Sequence, residues 1–326
     1  MNYGNFVISL DFELFWGVKD SKPLSEYREN LEQVHNVIPK LLELFSKYNI
    51  HGTFATVGLL FFDTKEKMIE AIPALTPNFE RVTLSNYHNN FSDVGLNQDV
   101  DKIHFGHQLI KKIASALNQE VGTHTFSHYY CLEEGASLES FEADIKAAKK
   151  VMAQDHLAMT SLVFPRNQTA PSFLKLCKDE GIICYRGNEN HWLYAPKNAK
   201  EESLIRRAGR LIDSYINISG HHTFTPKIIS KDLPMDIPAS RFLRPFSAKL
   251  SFLDGLRLRR IKKSMSYAAK NKQTYHLWWH PHNFGVNQNE NFKFLEKILD
   301  HYQVLNKKFG FTSSTMTALA NKITAE

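Results

Sequence analysis

Two histidines and two acids have the types and spacing needed to bind a metal ion. The histidines begin and end the motif His124-Thr125-Phe126-Ser127-His128, and this separation of four residues can bring both rings to one point. Asp11 and Glu13 occupy positions i and i+2, so they share one face of an extended chain. One acid and both histidines supply three ligands and leave a position open, which is typical of catalytic zinc. The other acid is then free to act as a base.

Three further polar residues belong with this set. His280 and His282 flank a proline after an apolar run, so we expect at least one of them to face the same cleft. Arg166 follows Pro165 and could orient a carboxylate and lower its pKa. The plainer alternatives are ordinary histidines in a chain that has 15 of them, turn-capping acids and a solvated surface arginine.

Each of these groups follows an apolar run of strand length. The runs at 6–10, 120–124, 160–164 and 275–279 alternate with helical patterns such as 26–48. Repeated alternation of this kind predicts a parallel sheet, either a barrel or a doubly wound sheet. In both architectures the carboxyl ends of the strands form the site, so the polar residues should meet at one edge.

Taken together, the motifs resemble those of the polysaccharide deacetylases of the NodB-homology type (carbohydrate esterase family 4). That family has an acid pair after its first strand, a His-Ser/Thr-x-x-His motif, an Arg-Pro motif and a late Leu-x-His motif. The corresponding segments here are Ser9-Leu10-Asp11-Phe12-Glu13, His124-Thr125-Phe126-Ser127-His128, Phe164-Pro165-Arg166-Asn167 and Leu277-Trp278-Trp279-His280-Pro281. Their order agrees with the family along nearly the whole chain.

The chain also departs from the family's motifs. Phe12 separates the two acids, and Arg166 follows its proline instead of preceding it. The family's Asp-x-x-Asp-Trp motif has no counterpart here, and we place Trp192 in its neighbourhood. These departures leave the substrate less defined than the fold.

The resemblance implies an α/β fold, a distorted (β/α) barrel with about seven parallel strands. It implies a single catalytic domain over 1–326, with an inserted loop at about 76–101. It also implies one divalent metal, Zn²⁺, held by Glu13, His124 and His128, which would lower the pKa of water from about 16 to about 7.

The resemblance also assigns roles to the remaining residues. Asp11, held by Arg166, would take the proton of the attacking water, and His280 would protonate the departing amine, with His282 as a rival acid. The residues expected to bind substrate are Trp279, His282, Asn167 and Trp192.

Composition narrows the setting in which such an enzyme would act. No run of eighteen apolar residues is present, the N-terminus lacks the pattern of a secretory signal, and three cysteines exclude a complete disulfide framework. The tract 241–263 carries eight basic residues and one acid, which accounts for the net charge of +6. It predicts a surface for anionic membrane or a lipid-linked sugar phosphate, or simply the solvated face of an amphipathic helix. No nucleic-acid-binding motif accompanies it.

The sequence therefore predicts a cytoplasmic hydrolase, peripheral to the inner face of the membrane. It would remove an acetyl or formyl group from an amino sugar in a precursor of a bacterial cell-surface polysaccharide. One alternative is a metal-dependent amidohydrolase on a small cyclic amide or ureide, as in allantoinases. The other is an inactive homologue that only binds sugar.

Overall fold

A sheet of parallel strands surrounded by helices forms the framework of the protein. The computed structural model describes residues 3–198 and 200–325. The described strands are β1 (Asn5–Phe12), β2 (Gly52–Thr56), β3 (Glu120–Thr123), β4 (Ser161–Val163), β5 (Cys184–Arg186), β6 (Met235–Asp236), β7 (Arg241–Phe242), β8 (Thr274–Trp279) and β9 (Thr312–Ser314).

The helices lie between and around these strands. Four of them begin directly after a serine or threonine whose side chain accepts a hydrogen bond from the first turn: Thr64, Ser137, Ser203 and Thr315. The described α-helices are α1 (Leu24–Glu32), α2 (Val34–Tyr48), α3 (Lys65–Glu70), α4 (His107–Ser115), α5 (Leu138–Gln154), α6 (Pro171–Asp179), α7 (Leu204–Asp213), α8 (Asp254–Lys270), α9 (Gln288–Phe309) and α10 (Met316–Thr324).

The sheet is an incompletely closed barrel with the order β6-β5-β4-β3-β2-β1-β8-β7, and β9 also pairs with β1. Every pairing between these strands is parallel. The predicted distorted (β/α) barrel is confirmed. It has more strands than the predicted seven because β6 and β7, of two residues each, are too short to leave a periodic signal.

Strand β1 is the centre of the fold, since all eight of its residues are buried. A strand with helices on both sides of its sheet needs apolar residues on both faces, and Phe6, Ile8 and Leu10 alternate with Val7 and the small polar Ser9. Helix α2 covers one face of the sheet. Its Phe45 lies edge-on to Trp279 of β8, with ring centroids 6.4 Å apart. Each fully buried side chain of this size contributes about 1.5–3 kcal/mol.

The segment predicted as an inserted loop, 76–101, has little regular structure but is not detached. It contains one short 3₁₀ helix, Val82–Leu84, and it buries Phe91 and Val94. The buried Asn86 side chain donates hydrogen bonds to the carbonyls of Trp16 and Ser127, both at 2.9 Å. The segment therefore packs against the chain that carries the histidine motif.

The basic tract 241–263 does not form one continuous exposed surface. Arg241, Arg257 and Arg260 are buried, and Arg241 and Arg260 both approach the buried carboxylate of Asp213, at 2.5 and 3.6 Å. Arg257 pairs with Asp254 at 2.9 Å. Three of the eight basic residues are thus internal and cannot meet a membrane, which corrects the prediction of a surface formed by the whole tract.

No helix in the described ranges, 3–198 and 200–325, is both long and apolar enough to cross a bilayer.

Removing the Asp213 carboxylate should destabilise the fold strongly. Burial opposes its ionisation, but the Arg241 guanidinium holds the pKa of Asp213 well below its usual range. Asp213→Ala leaves Arg241 buried without its counter-charge, so we expect the free energy of unfolding to fall by about 3–5 kcal/mol in urea titrations. Asp179→Ala, which removes an exposed pair with Lys175, is the control and should cost under about 1 kcal/mol. Equal losses in the two variants would contradict this account.

Candidate metal centre

The carboxyl ends of four strands bring the polar residues of the site together. Glu13 comes directly after β1, the histidine motif follows β3, Arg186 ends β5, and His280 follows β8. Parallel pairing with β1 at the centre puts these ends at the same level of the barrel, as the strand-end rule predicts.

Glu13 is the centre of the cluster. Its Oε2 lies 3.3 Å from Nε2 of His124 and 3.2 Å from Nε2 of His128. Both histidines and the glutamate are buried, and their ligand atoms lie within 4.8 Å of one another. Burial opposes ionisation of Glu13. The charge of His280 and hydrogen bonds from the other imidazoles outweigh it, so the pKa of Glu13 falls well below its usual range.

The hydrogen bond on the far side of His124 orients its ring as a metal ligand. Nδ1 of His124 lies 2.7 Å from the carbonyl of Val163, and a carbonyl can only accept, so Nδ1 carries the proton. In the neutral ring, Nε2 then directs its lone pair at the ionised carboxylate of Glu13. Two acceptors facing each other in a buried site repel unless a positive charge, either a metal ion or a second proton on the ring, lies between them. The residues present therefore fit a divalent cation held by Glu13, His124 and His128.

In a second group of potential ligands, Glu13 with His280 and His282, hydrogen bonds account for the position of His282 without a cation. The Asn283 amide N–H donates to the Tyr27 hydroxyl oxygen at 3.5 Å. The hydroxyl proton is therefore directed at Nδ1 of His282, which lies 2.8 Å away and accepts it. Nε2 of His282 then keeps its proton and donates to Oε1 of Glu13 at 3.1 Å. His282, predicted to bind substrate, is thus buried as a support for Glu13.

Asp11 is held by Arg186, whereas the sequence predicted Arg166 as its partner. Two nitrogens of the Arg186 guanidinium each donate to one carboxylate oxygen of Asp11 at 2.7 Å. The predicted substrate residue Asn167 accepts from the same guanidinium at 2.9 Å. Burial opposes ionisation of Asp11, but Arg186 lowers its pKa overall, so Asp11 is a carboxylate at neutral pH.

Arg166 lies further out. It forms ion pairs with Asp20 and, at 3.5 Å, with Glu133, and its guanidinium lies 4.3 Å from the centroid of the Tyr130 ring. The predicted pairing of Arg166 with Asp11 was therefore wrong, because β5 supplies the arginine that reaches the end of β1.

A cavity of about 600 Å³ opens beside the cluster, and His280, Asn167 and Trp278 line it. His280 is the most accessible of the four imidazoles around Glu13, since 22% of its side chain is exposed. Trp279, predicted to bind substrate, is fully buried against Phe284, because neighbouring residues of a strand face opposite sides. Trp278 therefore occupies the position expected for Trp279. Trp192, also predicted to bind substrate, is 60% exposed and does not line this cavity.

Comparison with known proteins identifies the fold. No family model matches the sequence, and no curated protein matches it. The structure is similar over its whole length to a protein from Mycobacterium smegmatis described as a polysaccharide deacetylase, with 12% identity, a TM-score of 0.61 and 92% of that chain covered. The chain has the polysaccharide deacetylase fold.

Two further structures share this NodB-like fold. One, from Pseudomonas aeruginosa, is also described as a polysaccharide deacetylase and has 10% identity and a TM-score of 0.58 over 99% of this chain and 91% of that one. The other is an allantoinase, with 10% identity and a TM-score of 0.55 over 98% and 90%. At such identities the comparisons show the deacetylase fold, and the choice among its chemistries depends on the site itself.

The backbone of this deacetylase fold is unusual around the cluster. Five non-glycine residues beside the site have a left-handed conformation, which costs of the order of 1–3 kcal/mol each and is concentrated at functional sites. They are Leu14, Thr125, His128, Arg166 and Asn167.

Asp144 supports the histidine motif and was missed from the sequence. Its carboxylate accepts from the backbone N–H groups of Phe126, at 2.7 Å, and Ser127, at 3.1 Å, and from the Ser127 hydroxyl. Burial raises the pKa of Asp144 to about 6 against the effect of these donors. The available signal was an aspartate among the apolar positions of α5, beside Ile145. For Arg186, also missed, the signal was an arginine at a strand end.

Because Gly17 has no side chain, the Glu13 carboxylate can lie directly against it. A Cβ atom at position 17 would lie 2.0 Å from the carboxyl carbon of Glu13, so Gly17→Ala must displace that carboxylate. We expect Zn²⁺ affinity, measured by competition with a chromogenic chelator, to fall by about 10- to 100-fold. Gly255→Ala is the matched control, because a Cβ there meets nothing within 4 Å. Unchanged affinity in Gly17→Ala would show that Glu13 is not a ligand.

Proposed function

We propose that the protein is a metal-dependent hydrolase that removes an N-acyl group, acetyl or formyl, from an amino sugar of a bacterial surface-glycan precursor. The observation that carries this proposal is the buried Glu13–His124–His128 cluster, whose ligand atoms fit a divalent cation, beside an ionised Asp11 and an accessible His280. The deacetylase fold supports it. An inactive sugar-binding homologue has no need for a cation-dependent cluster of this kind.

A divalent cation such as Zn²⁺ would polarise the acyl carbonyl and lower the pKa of the attacking water. Asp11 takes the proton of that water, since it is ionised and its two oxygens are oriented by Arg186. Arg186 thus performs the orienting role that the sequence assigned to Arg166.

His280 is the better placed of the two rival acids. Its Nε2 lies 3.7 Å from Asp11 and 3.6 Å from Glu13, and the ring faces the cavity where a substrate would sit. Asp11 can pass the proton it takes from the water to this nitrogen, and His280 can then donate it to the departing amine. His282 is buried between Tyr27 and Glu13, so it keeps the carboxylate in place and does not reach the amine.

The cavity next to His280 has walls suited to a sugar. The rings of Trp278 and Phe242 lie 4.7 Å apart and both line it, which provides an apolar surface for the faces of a pyranose ring. We place the enzyme in the cytoplasm, because its three cysteines are free and buried, as in a reducing compartment.

Acyl release tests this function directly. The Zn²⁺-loaded protein should release acetate or formate from N-acyl amino sugars, measured by mass spectrometry. Asp11→Asn and His280→Gln should each lower kcat/KM by about 10²- to 10⁴-fold, because each removes one proton-transfer group. His156→Gln changes an exposed histidine at the end of α5 and should leave the rate unchanged.

The same assay separates the alternatives. Ring opening of allantoin without acyl release from any amino sugar would assign the site to a small-molecule amidohydrolase. Full activity in Asp11→Asn would contradict the role of that carboxylate.

A further inference from the structure

The cavity beside His280 carries far more positive than negative charge. Its wall contains six basic side chains, Arg166, Lys197, Arg207, Arg210, Arg241 and Arg244. Among the described residues that line it, two are acids, Glu189 and Glu202. Burial raises the pKa of Glu189 to about 7, which weakens the negative charge that this group can contribute at neutral pH.

Four of these cations already have acidic partners. Arg166 pairs with Asp20 and Arg241 with Asp213, while Lys197 and Arg210 pair with Glu201 and Glu202. Within residues 3–198 and 200–325, Arg207 and Arg244 have no ion pair and no side-chain hydrogen bond. Arg244 is only partly exposed, and burial lowers its pKa. A half-buried guanidinium without a counter-charge is costly unless a ligand supplies one.

The position of Arg244 is held by a buried part of the basic tract. The Arg257 guanidinium donates to the backbone carbonyls of Arg244 and Pro245, the latter at 3.1 Å. Arg257 itself packs against the ring of Phe294, 4.0 Å from its centroid. The backbone that presents Arg244 is therefore fixed in advance, as a binding site requires.

The order of groups along this wall matches one kind of substrate. His280 lies next to the Phe242 ring, with centroids 5.9 Å apart, and Arg244 follows Phe242 by two residues. We propose that this cavity binds a phosphate group carried by the amino-sugar substrate, with Arg244 and Arg207 as its ligands and the acyl group directed toward His280. This inference rests on the proposed function for the identity of the substrate.

Calorimetric titration with inorganic phosphate at low ionic strength tests the site apart from catalysis. Arg244→Ala and Arg207→Ala in the metal-loaded protein should each weaken phosphate binding by about tenfold, as expected for loss of a charge-assisted contact. Arg259→Ala removes an exposed arginine outside this cavity and is the matched control. Equal phosphate affinity in Arg244→Ala and Arg259→Ala would overturn the proposal.

Turnover of different N-acyl amino sugars tests this inference separately from the proposed function. It also shows which kind of phosphate-bearing group the cavity binds. We would compare neutral, carboxylate-bearing, 1-phosphate, nucleotide-linked and polyprenyl-diphosphate-linked N-acyl amino sugars. A phosphate-bearing substrate should have the highest kcat/KM, and Arg244→Ala should lower that preference. Deacylation of neutral sugars at equal or higher rates overturns the phosphate site and leaves the deacylase intact. Phosphate binding that depends on Arg244, without any deacylation, contradicts only the deacylase.

Helix α7, which supplies Arg207 and Arg210, carries an independent second observation. Its buried residues are polar, Arg206 and Asp213, whereas its apolar residues face solvent. The exposed fractions are 79% for Leu204, 76% for Ile205 and 50% for Ile212. At 100° per residue these three residues occupy one arc of the helix, opposite Arg206, so the usual orientation of an amphipathic helix is reversed.

The same apolar character continues in the chain around α7. Ile216, Ile218 and Trp192 are all more than half exposed. Trp192 precedes Leu193, whose carbonyl accepts hydrogen bonds from Arg206 at 3.3 Å and from Arg210 at 2.9 Å. A tryptophan beside an outward apolar helix is typical of proteins that lie on a bilayer.

We infer that the outer face of α7 docks on an anionic bilayer. The occupant is assigned by charge and by continuity: α7 carries three arginines against one acid, Asp213, and it forms a wall of the positively charged cavity beside His280. Of the eight basic residues in the tract 241–263, predicted to be the membrane contact, three are exposed: Lys249, Arg259 and Lys263.

Flotation with phosphatidylcholine–phosphatidylglycerol vesicles tests this contact. The double variant Ile205→Glu and Ile212→Glu should reduce vesicle binding at least about tenfold, because charged side chains at these positions no longer insert between the lipid headgroups and the acyl chains. The control Arg259→Glu and Lys263→Glu changes the other candidate surface and should bind within about threefold of the unchanged protein. Absence of vesicle binding in the unchanged protein overturns the inference. So does a dimer in light scattering that the α7 variant dissociates, because a second copy would then cover this face.

Discussion

The structure of the site depends on one buried carboxylate. Four imidazoles surround Glu13, with Nε2 atoms 3.1–3.6 Å from its oxygens, and burial would neutralise it without them. These imidazoles come from β3 and β8, on opposite sides of β1. A parallel register brings the ends of these strands together: Phe12 of β1 pairs with Thr56 of β2, Thr56 pairs with Thr123 of β3, and Leu10 of β1 pairs with Trp279 of β8. The strand arrangement therefore stabilises the buried negative charge of Glu13.

Buried arginines neutralise other buried carboxylates in the barrel. Arg186 neutralises Asp11 and also donates to the Ser9 hydroxyl, which lies 2.8 Å from the His276 ring. Arg241 and Arg260 do the same for Asp213. Such pairs give little net stability, but loss of either partner leaves an uncompensated charge. The Arg186–Asp11 pair lies on the face of β1 that carries Val7, Ser9 and Asp11, where it adjoins an apolar cluster that includes Val7 and Val163.

The sequence predicted the strands near the site and the meeting of His124, His128 and one acid, because polar residues that follow the strands of a parallel sheet lie at the same edge. The choice of Glu13 as that acid came from the family resemblance. The sequence indicated Arg166 and missed Arg186, since both arginines lie at strand ends and only the folded structure decides which one reaches Asp11. Trp279 was preferred over Trp278 because the side-chain direction at the end of a strand depends on a register that composition does not fix. The burial of Arg241 and Arg260 was hidden because their partner, Asp213, is distant in sequence.

The amide of Asn86 gives the polar segment 76–101 an unexpected place in this protein. It holds the carbonyl of Trp16, three residues after Glu13, and the carbonyl of Ser127, between the two histidines. One side chain thus connects the two halves of the ligand set across 111 residues of sequence. Tolerance to sequence change within this segment should therefore be uneven. Most of its surface positions can drift freely, while position 86 is constrained as closely as the ligands, although nothing in its local composition distinguishes it from the other asparagines nearby.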